Sequence, residues 1–110
     1  MVGSKGLPGV SVYSATKAAL RSLARTLTTD LKARKIRVNV VSPGTIDTPG
    51  LRALRQLDAH GLSEHYAAAI PLGRLGRADE IAHAVSFLAS DQSSYVTGTE
   101  LFVDGGMAQV

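Results

Sequence analysis

The sequence predicts an α/β fold built on a parallel sheet, and two features carry that expectation. The run "IRVNVV" (36–41) is β-branched and almost continuously apolar, as in a strand covered on both faces. A helical stretch, "RADEIAHAVSFLAS" (77–90), separates it from a second short run, "TELFV" (99–103). Strand, helix and strand in that order favour parallel pairing through a crossover. Two strands alone make a poor sheet, so the pattern reads as the closing part of a larger α/β domain, incomplete in this chain.

The elements follow in order. Residues 3–10 hold Gly3, Gly6, Pro8 and Gly9 and read as loop. From about Ser11 the pattern turns helical, with Leu20, Leu23, Leu27 and Leu31 at intervals of three and four along one face. Ala15, Ala18, Ala19 and Ala24 add helix propensity. The helix is expected to close near Ala33, where Lys32, Arg34, Lys35 and Arg37 form the densest basic cluster. Cations suit the negative end of the helix dipole. With no aromatic residue interleaved, the cluster does not point to nucleic acid.

Ser42, Pro43 and Gly44 end the strand 36–41. The segment 45–76 has weak helical pieces (51–57 and 63–70) broken by Gly61, Pro71, Gly73 and Gly76, which suits a mobile flap. In the helix 77–90, Asp79 and Glu80 occupy the first turn, favourable at the positive end of the dipole. Ile81, Ala84, Val85 and Leu88 form its apolar stripe. The turn-rich "SDQSSYVTG" leads into 99–103, and Asp104, Gly105 and Gly106 stop that strand.

Composition narrows the function classes. A chain of 110 residues suits one modest domain, and 45% hydrophobic with 19% charged residues is globular rather than disordered. No apolar run approaches the roughly 18 residues of a membrane span. The start, "MVGSKGLPGV", lacks an apolar export core, so the expected location is the cytoplasm. The absence of cysteine excludes thiol catalysis, disulfides and cysteine–zinc sites. His60 and His65 match no common metal-ligand spacing, and no metal is expected. Together with Tyr66 they read as surface residues of the flap, and His83 reads as structural.

The sharpest local feature is in "VSVYSATKAALRSLARTL" (10–27), where Tyr13 and Lys17 lie four residues apart. Residues at that spacing share a helix face. This face continues to Leu20, Ala24, Leu27 and Leu31, so the pair is expected to point with the core stripe rather than into open solvent. A free tyrosine has a pKa of about 10, and a nearby ammonium stabilises the phenolate and brings proton transfer closer to neutral pH. By spacing alone, however, such a pair is commonly two amphipathic side chains on one face.

The context is larger than the pair. "YSATKAAL", then "RVNVVSPGTIDTP", then "PLGRLGRADEIAHAVSFLASDQSSYVTGTELFVDGG" resemble the short-chain dehydrogenase/reductase family over nearly the whole chain. The resemblance implies the C-terminal part of a Rossmann-like, doubly wound parallel sheet, as a single partial domain over 1–110. It implies a nicotinamide cofactor, NAD or NADP, and a small-molecule alcohol or ketone substrate. Tyr13 would be the general acid/base, and Lys17 would tune it and hold the nicotinamide ribose. Pro43 and Gly44 would shape the turn beside the nicotinamide. Ile46, through its backbone, and Thr48, partly through its hydroxyl, would contact the carboxamide. The flap over about 48–75 would bind substrate. A homo-oligomer is implied, with neither nucleic acid nor membrane as partner.

Three parts of the family pattern are not found in these 110 residues. There is no strand, glycine-rich turn and helix to receive a dinucleotide pyrophosphate. The residue that would choose between NAD and NADP is missing with it. The family's active-site serine is expected upstream of Met1, and neither Ser4 nor Ser11 is spaced to replace it. A sheet with so few strands would leave apolar surface wet, so the isolated chain is expected to be marginal or to associate. The alternative to an oxidoreductase is therefore a non-catalytic remnant or association module of the same family. A small basic nucleic-acid-binding domain is a third reading, without a supporting motif.

Overall fold

Gly9, at φ +79°, turns the chain into the first helix, α1 (Ser11–Asp30). The structure is a computed structural model that describes residues 9–56 and 67–110. The loop before Gly9, including Ser4, lies outside the described residues, as do His60, His65 and Tyr66. After α1 come the strand β1 (Val40–Pro43), the helix α2 (Pro49–Gln56), the helix α3 (Ala78–Ala89) and the strand β2 (Glu100–Val103). The two strands pair in parallel, with Val40 opposite Glu100 and Pro43 opposite Val103. The helix α3 crosses between them and packs on both. This is the α/β order that the sequence predicts.

The end of α1 differs from expectation. Its last turn holds no basic residue and finishes at Asp30. Lys32 and Arg34 sit instead in a separate 3-10 turn, and Lys35 reverses the chain at φ 55°. Arg37 is not part of a solvated basic face. Its guanidinium donates to Ser93 Oγ (2.9 Å), to the Val96 carbonyl (3.1 Å) and to the Ser90 carbonyl (3.1 Å). Ser93 is fully buried, and its single hydroxyl proton lies between the carbonyls of Leu88 (3.0 Å) and Ser90 (3.1 Å). Arg37 therefore clamps the turn that feeds β2. Replacing it with Met keeps the aliphatic stem and removes three charge-assisted bonds, with an expected loss of about 2 kcal/mol of stability. Urea unfolding reads this out, with the exposed Lys32→Met as a control expected to be near neutral.

The first strand also shifts. The expected run 36–41 gives way to a ladder over Val40–Pro43. Ahead of it, a single backbone bond, from the Gly98 N–H to the Val38 carbonyl (2.7 Å), is supplemented by side chains. Asn39 donates through Nδ2 to the Val96 carbonyl and accepts from the Thr99 N–H, while Thr97 Oγ1 accepts from the Val38 N–H. Neither strand has a neighbour beyond the other among the described residues. That is why β1, expected to be covered on both faces, is only half-buried at Val40 and Val41 and exposed at Pro43.

Where β2 ends, Asp104 organises the exit. Its carboxylate accepts the N–H groups of Gly106 (2.9 Å) and Ala108 (2.8 Å). Ile70, at 3% exposure the one buried hydrophobic side chain among the described residues, sits against Gly105, where an added Cβ would lie 2.6 Å from Ile70 Cγ2. Leu72 donates its N–H to the Gly105 carbonyl. The expected flap, about 48–75, thus begins with α2, passes through residues outside the description, and is tied to the exit of β2 at its end.

Candidate functional site

Tyr13 lies in the first turn of α1, and Lys17 one turn later brings its Nζ to 5.3 Å from the Tyr13 ring centroid. An ammonium over an aromatic face at that distance is a cation–π contact, of order 0.5–1 kcal/mol at an exposed site. Both side chains line a cavity of about 310 Å³ together with Pro43 and Gly44 at the end of β1. The cavity is at the small end of the range for ligand pockets. The pair is more open than expected: Tyr13 is 53% exposed, and Leu20 and Leu23 on α1 are 54% and 52% exposed. The helix contributes no buried residue, because the sheet beneath it has only two strands among the described residues.

Gly44 is required by a close approach. A Cβ there would lie 2.6 Å from Asp104 Cα and 2.8 Å from Asp104 Cβ. This lets β1 and β2 stay together to their ends, where the Gly44 N–H donates to the Val103 carbonyl (3.0 Å).

Ile46 and Thr48 do not line the same cavity. Ile46 forms an isolated parallel bridge with Gly76, made by the Thr45 carbonyl and the Asp47 N–H. The N–H and C=O of Ile46 itself therefore point to the opposite side of the chain. Thr48 Oγ1 accepts the Leu51 N–H (3.2 Å) and so caps α2. Ile46 borders a second cavity, of about 690 Å³, which also reaches Glu80, Phe102 and Asp104. It is larger but lined by neither the phenol nor the ammonium.

Glu80, at the edge of that second cavity, ties the segment before α3 to the helix. Arg74 donates to both its carboxylate oxygens (2.7 and 3.0 Å), and the Arg77 N–H donates to one of them (2.7 Å). These bonds, that from Arg74 foremost, hold its carboxyl down to about 2 from the ordinary 4.5. A carboxyl depressed in the folded state binds fewer protons there than in the unfolded chain. Its stabilising contribution is complete above pH 4.5 and is lost as pH falls toward about 2. Acid titration followed by far-ultraviolet dichroism should show this component, and Glu80→Gln should remove it.

The sequence reading missed three polar residues at the smaller cavity. Arg21, Ser42 and Glu100 line it beside the tyrosine and lysine. Arg21 Nη1 donates to Glu100 Oε2 (3.0 Å), and Ser42 Oγ donates to Glu100 Oε1 (2.7 Å). A charged residue inside the apolar run "TELFV" was the available signal. His83, read as structural, is exposed on α3. Among the described residues, no three His, Cys, Asp or Glu side chains group to hold a metal, and no helix is long and apolar enough to cross a membrane.

Comparison with known proteins decides the family. The profile of a family described as "Enoyl-(Acyl carrier protein) reductase" matches residues 1–108. A 3-oxoacyl-[acyl-carrier-protein] reductase, FabG, of Escherichia coli is 46% identical over 110 residues, which is 100% of this chain and 43% of FabG. A solved short-chain dehydrogenase/reductase family protein superposes with a TM-score of 0.84 at 49% identity, covering 100% of this chain and 43% of its own. This chain belongs to the short-chain dehydrogenase/reductase family. Another solved member, a gluconate 5-dehydrogenase from Burkholderia cenocepacia in complex with NADP and tartrate, matches with a TM-score of 0.88 at 36% identity, covering 99% of this chain and 42% of its own. The parallel pair and its helices are thus part of the Rossmann-like sheet of short-chain dehydrogenases/reductases. The chain spans less than half the length of the relatives it matches.

Proposed function

We propose that this chain carries the proton-transfer site of an NAD(P)-dependent oxidoreductase that interconverts a secondary alcohol and a ketone. One observation supports this most: the Tyr13 phenol and the Lys17 ammonium line a single cavity with the Pro43–Gly44 turn. The donor set suits a nicotinamide nucleoside, since an ammonium can hold ribose hydroxyls and a phenol can face a reacting oxygen. The peptide groups of Ile46, turned away from Gly76, and the hydroxyl proton of Thr48, whose oxygen already accepts from Leu51, suit a carboxamide.

When bound, a reduced nicotinamide supplies a hydride to the carbonyl carbon. Tyr13 donates its proton to the carbonyl oxygen in reduction and takes the alcohol proton in oxidation, so the substrate gains or loses one hydride and one proton. Lys17, over the ring, offsets the negative charge left on the phenol oxygen and positions the ribose. The names of the relatives nominate a 3-oxoacyl thioester, and that of the gluconate 5-dehydrogenase a sugar acid, as substrate classes.

Fluorescence titration with reduced NAD and reduced NADP tests the reading, followed by turnover of a panel that includes a 3-oxoacyl thioester and a keto-sugar acid. Binding of either nucleotide and turnover of one ketone are expected. Absence of both overturns the catalytic reading.

The exposed Leu20 and Leu23 on α1, and Val85 and Phe87 on α3, favour association of the chain with itself or with family relatives as a second reading. Sedimentation velocity distinguishes it: a monomer that binds nucleotide would refute an association module.

A further inference from the structure

We propose that Glu100 is a positioning residue for the Tyr13–Lys17 pair: its carboxylate, held between Arg21 and Ser42, sets the seat of α1 over the Pro43–Gly44 turn. The catalytic consequence rests on the function proposed above, whereas the seat rests on geometry alone.

Arg21 follows Lys17 by four residues and so shares its face of α1. Ser42 immediately precedes Pro43 on β1. Glu100 reaches both from β2, with Oε1 accepting from Ser42 (2.7 Å) and Oε2 from Arg21 (3.0 Å). One carboxylate therefore joins the helix that carries the pair to both strands of the sheet. The side chains of Arg21 and Glu100 are each only 20% exposed. Ion pairs elsewhere in the fold, Arg52 with Asp47, Arg74 with Glu80 and Arg77 with Asp79, are local. Arg21 and Glu100 are 79 positions apart.

Among the described residues, apolar packing on this half of α1 is loose. No residue of the helix is buried, and Leu20 and Leu23 are half open. A second polar tie to the sheet side, from Thr28 Oγ1 to the Val38 carbonyl (3.3 Å), lies near the far end of the helix. Charge-assisted bonds are directional, so they set register in a way that loose apolar contact does not. A charged residue in an otherwise apolar strand is explained by that role.

The chain has no cysteine, so spin labels can be placed uniquely at Arg25→Cys on α1 and Tyr95→Cys before β2, both exposed positions. Electron–electron double resonance on the full chain then reports the seat of α1. A narrow distance distribution is expected for the parent. Glu100→Gln keeps the shape and an acceptor for Ser42 but loses the charge, and it should broaden or shift that distribution while dichroism stays unchanged. Arg21→Met should do the same, and Arg21→Lys should partly restore the parent. If Glu100→Gln fails to fold, Ser42→Ala, which keeps the ion pair, must still broaden the distribution. An unchanged distribution in folded Glu100→Gln and Arg21→Met overturns the proposal.

Turnover supplies the second readout. Displacing the pair should lower kcat by about 10–100-fold with a smaller change in KM. A moved helix with parent kcat overturns the positioning role. Failure of the parent to bind any nicotinamide nucleotide refutes the proposed function instead, while the distance measurement still decides the seat.

Discussion

Tyr13→Phe is expected to lower turnover by about 10²–10⁴-fold while leaving the fold intact. The substitution removes one oxygen from a ring that is 53% exposed, so no packing is lost. The Thr16 hydroxyl donates to the Tyr13 backbone carbonyl, which the change does not touch. The Lys17 contact is to the ring face, which phenylalanine retains. What disappears is the proton that the carbonyl oxygen must receive. Initial rates with a reduced nicotinamide nucleotide should therefore fall in kcat, with the melting temperature and nucleotide affinity near parent values. Lys17→Met should raise the nucleotide KM as well, because the ammonium is assigned to the ribose. Groups that act as one unit are non-additive, so the double variant should lose little more than the worse single. Turnover of Tyr13→Phe within about threefold of the parent would remove Tyr13 from the mechanism.

The fold was legible where periodicity reports helix, even though no residue of α1 or α3 is buried. Leu20, Leu23, Leu27 and Leu31 announce α1, and acidic residues in the first turn announce α3. Apolar runs announce burial but not pairing, so β1 was placed four residues early. Val38 and Asn39 look like strand interior, yet a single backbone bond from Gly98 to Val38 and the side chains of Asn39 and Thr97 hold the adjoining turn there, short of a continuous ladder. Arg37 was grouped with its basic neighbours because nothing local separates it from them. Only the fold brings Ser93, 56 positions away, under its guanidinium.

The candidate site divides in the same way. Tyr13 and Lys17 are one helical turn apart, so local geometry places them together. Pro43 and Gly44 entered through resemblance, and the fold brings them to the same cavity. Ile46 and Thr48 entered the same way; neither lines that cavity, and they stand in a bridge and at a helix cap. The Arg21–Glu100–Ser42 set depends on strand register, which no local pattern encodes.

Gly44→Ala should destabilise the chain by about 3 kcal/mol, from overpacking together with a lost backbone hydrogen bond. The new Cβ would meet Asp104 Cα at 2.6 Å and the Asp104 carbonyl oxygen at 3.1 Å. Those are backbone atoms of the paired strand's exit, and they cannot swing aside as a flexible side chain can. The ends of β1 and β2 must separate, which strains the bond from the Gly44 N–H to the Val103 carbonyl. Asp104 would move with them, and its carboxylate holds the turn at Gly106 and Ala108 against which Ile70 and Leu72 rest. The same chemical change at Gly50 is the control. That residue lies in α2, where an added Cβ meets nothing within 4 Å. Alanine there should stabilise by up to about 1 kcal/mol through helix propensity. Urea unfolding of the two variants should therefore move the midpoint in opposite directions. If Gly44→Ala unfolds at the parent midpoint, the strand ends are not pressed together as the register requires, and the turn that borders the tyrosine cavity is not fixed by this approach.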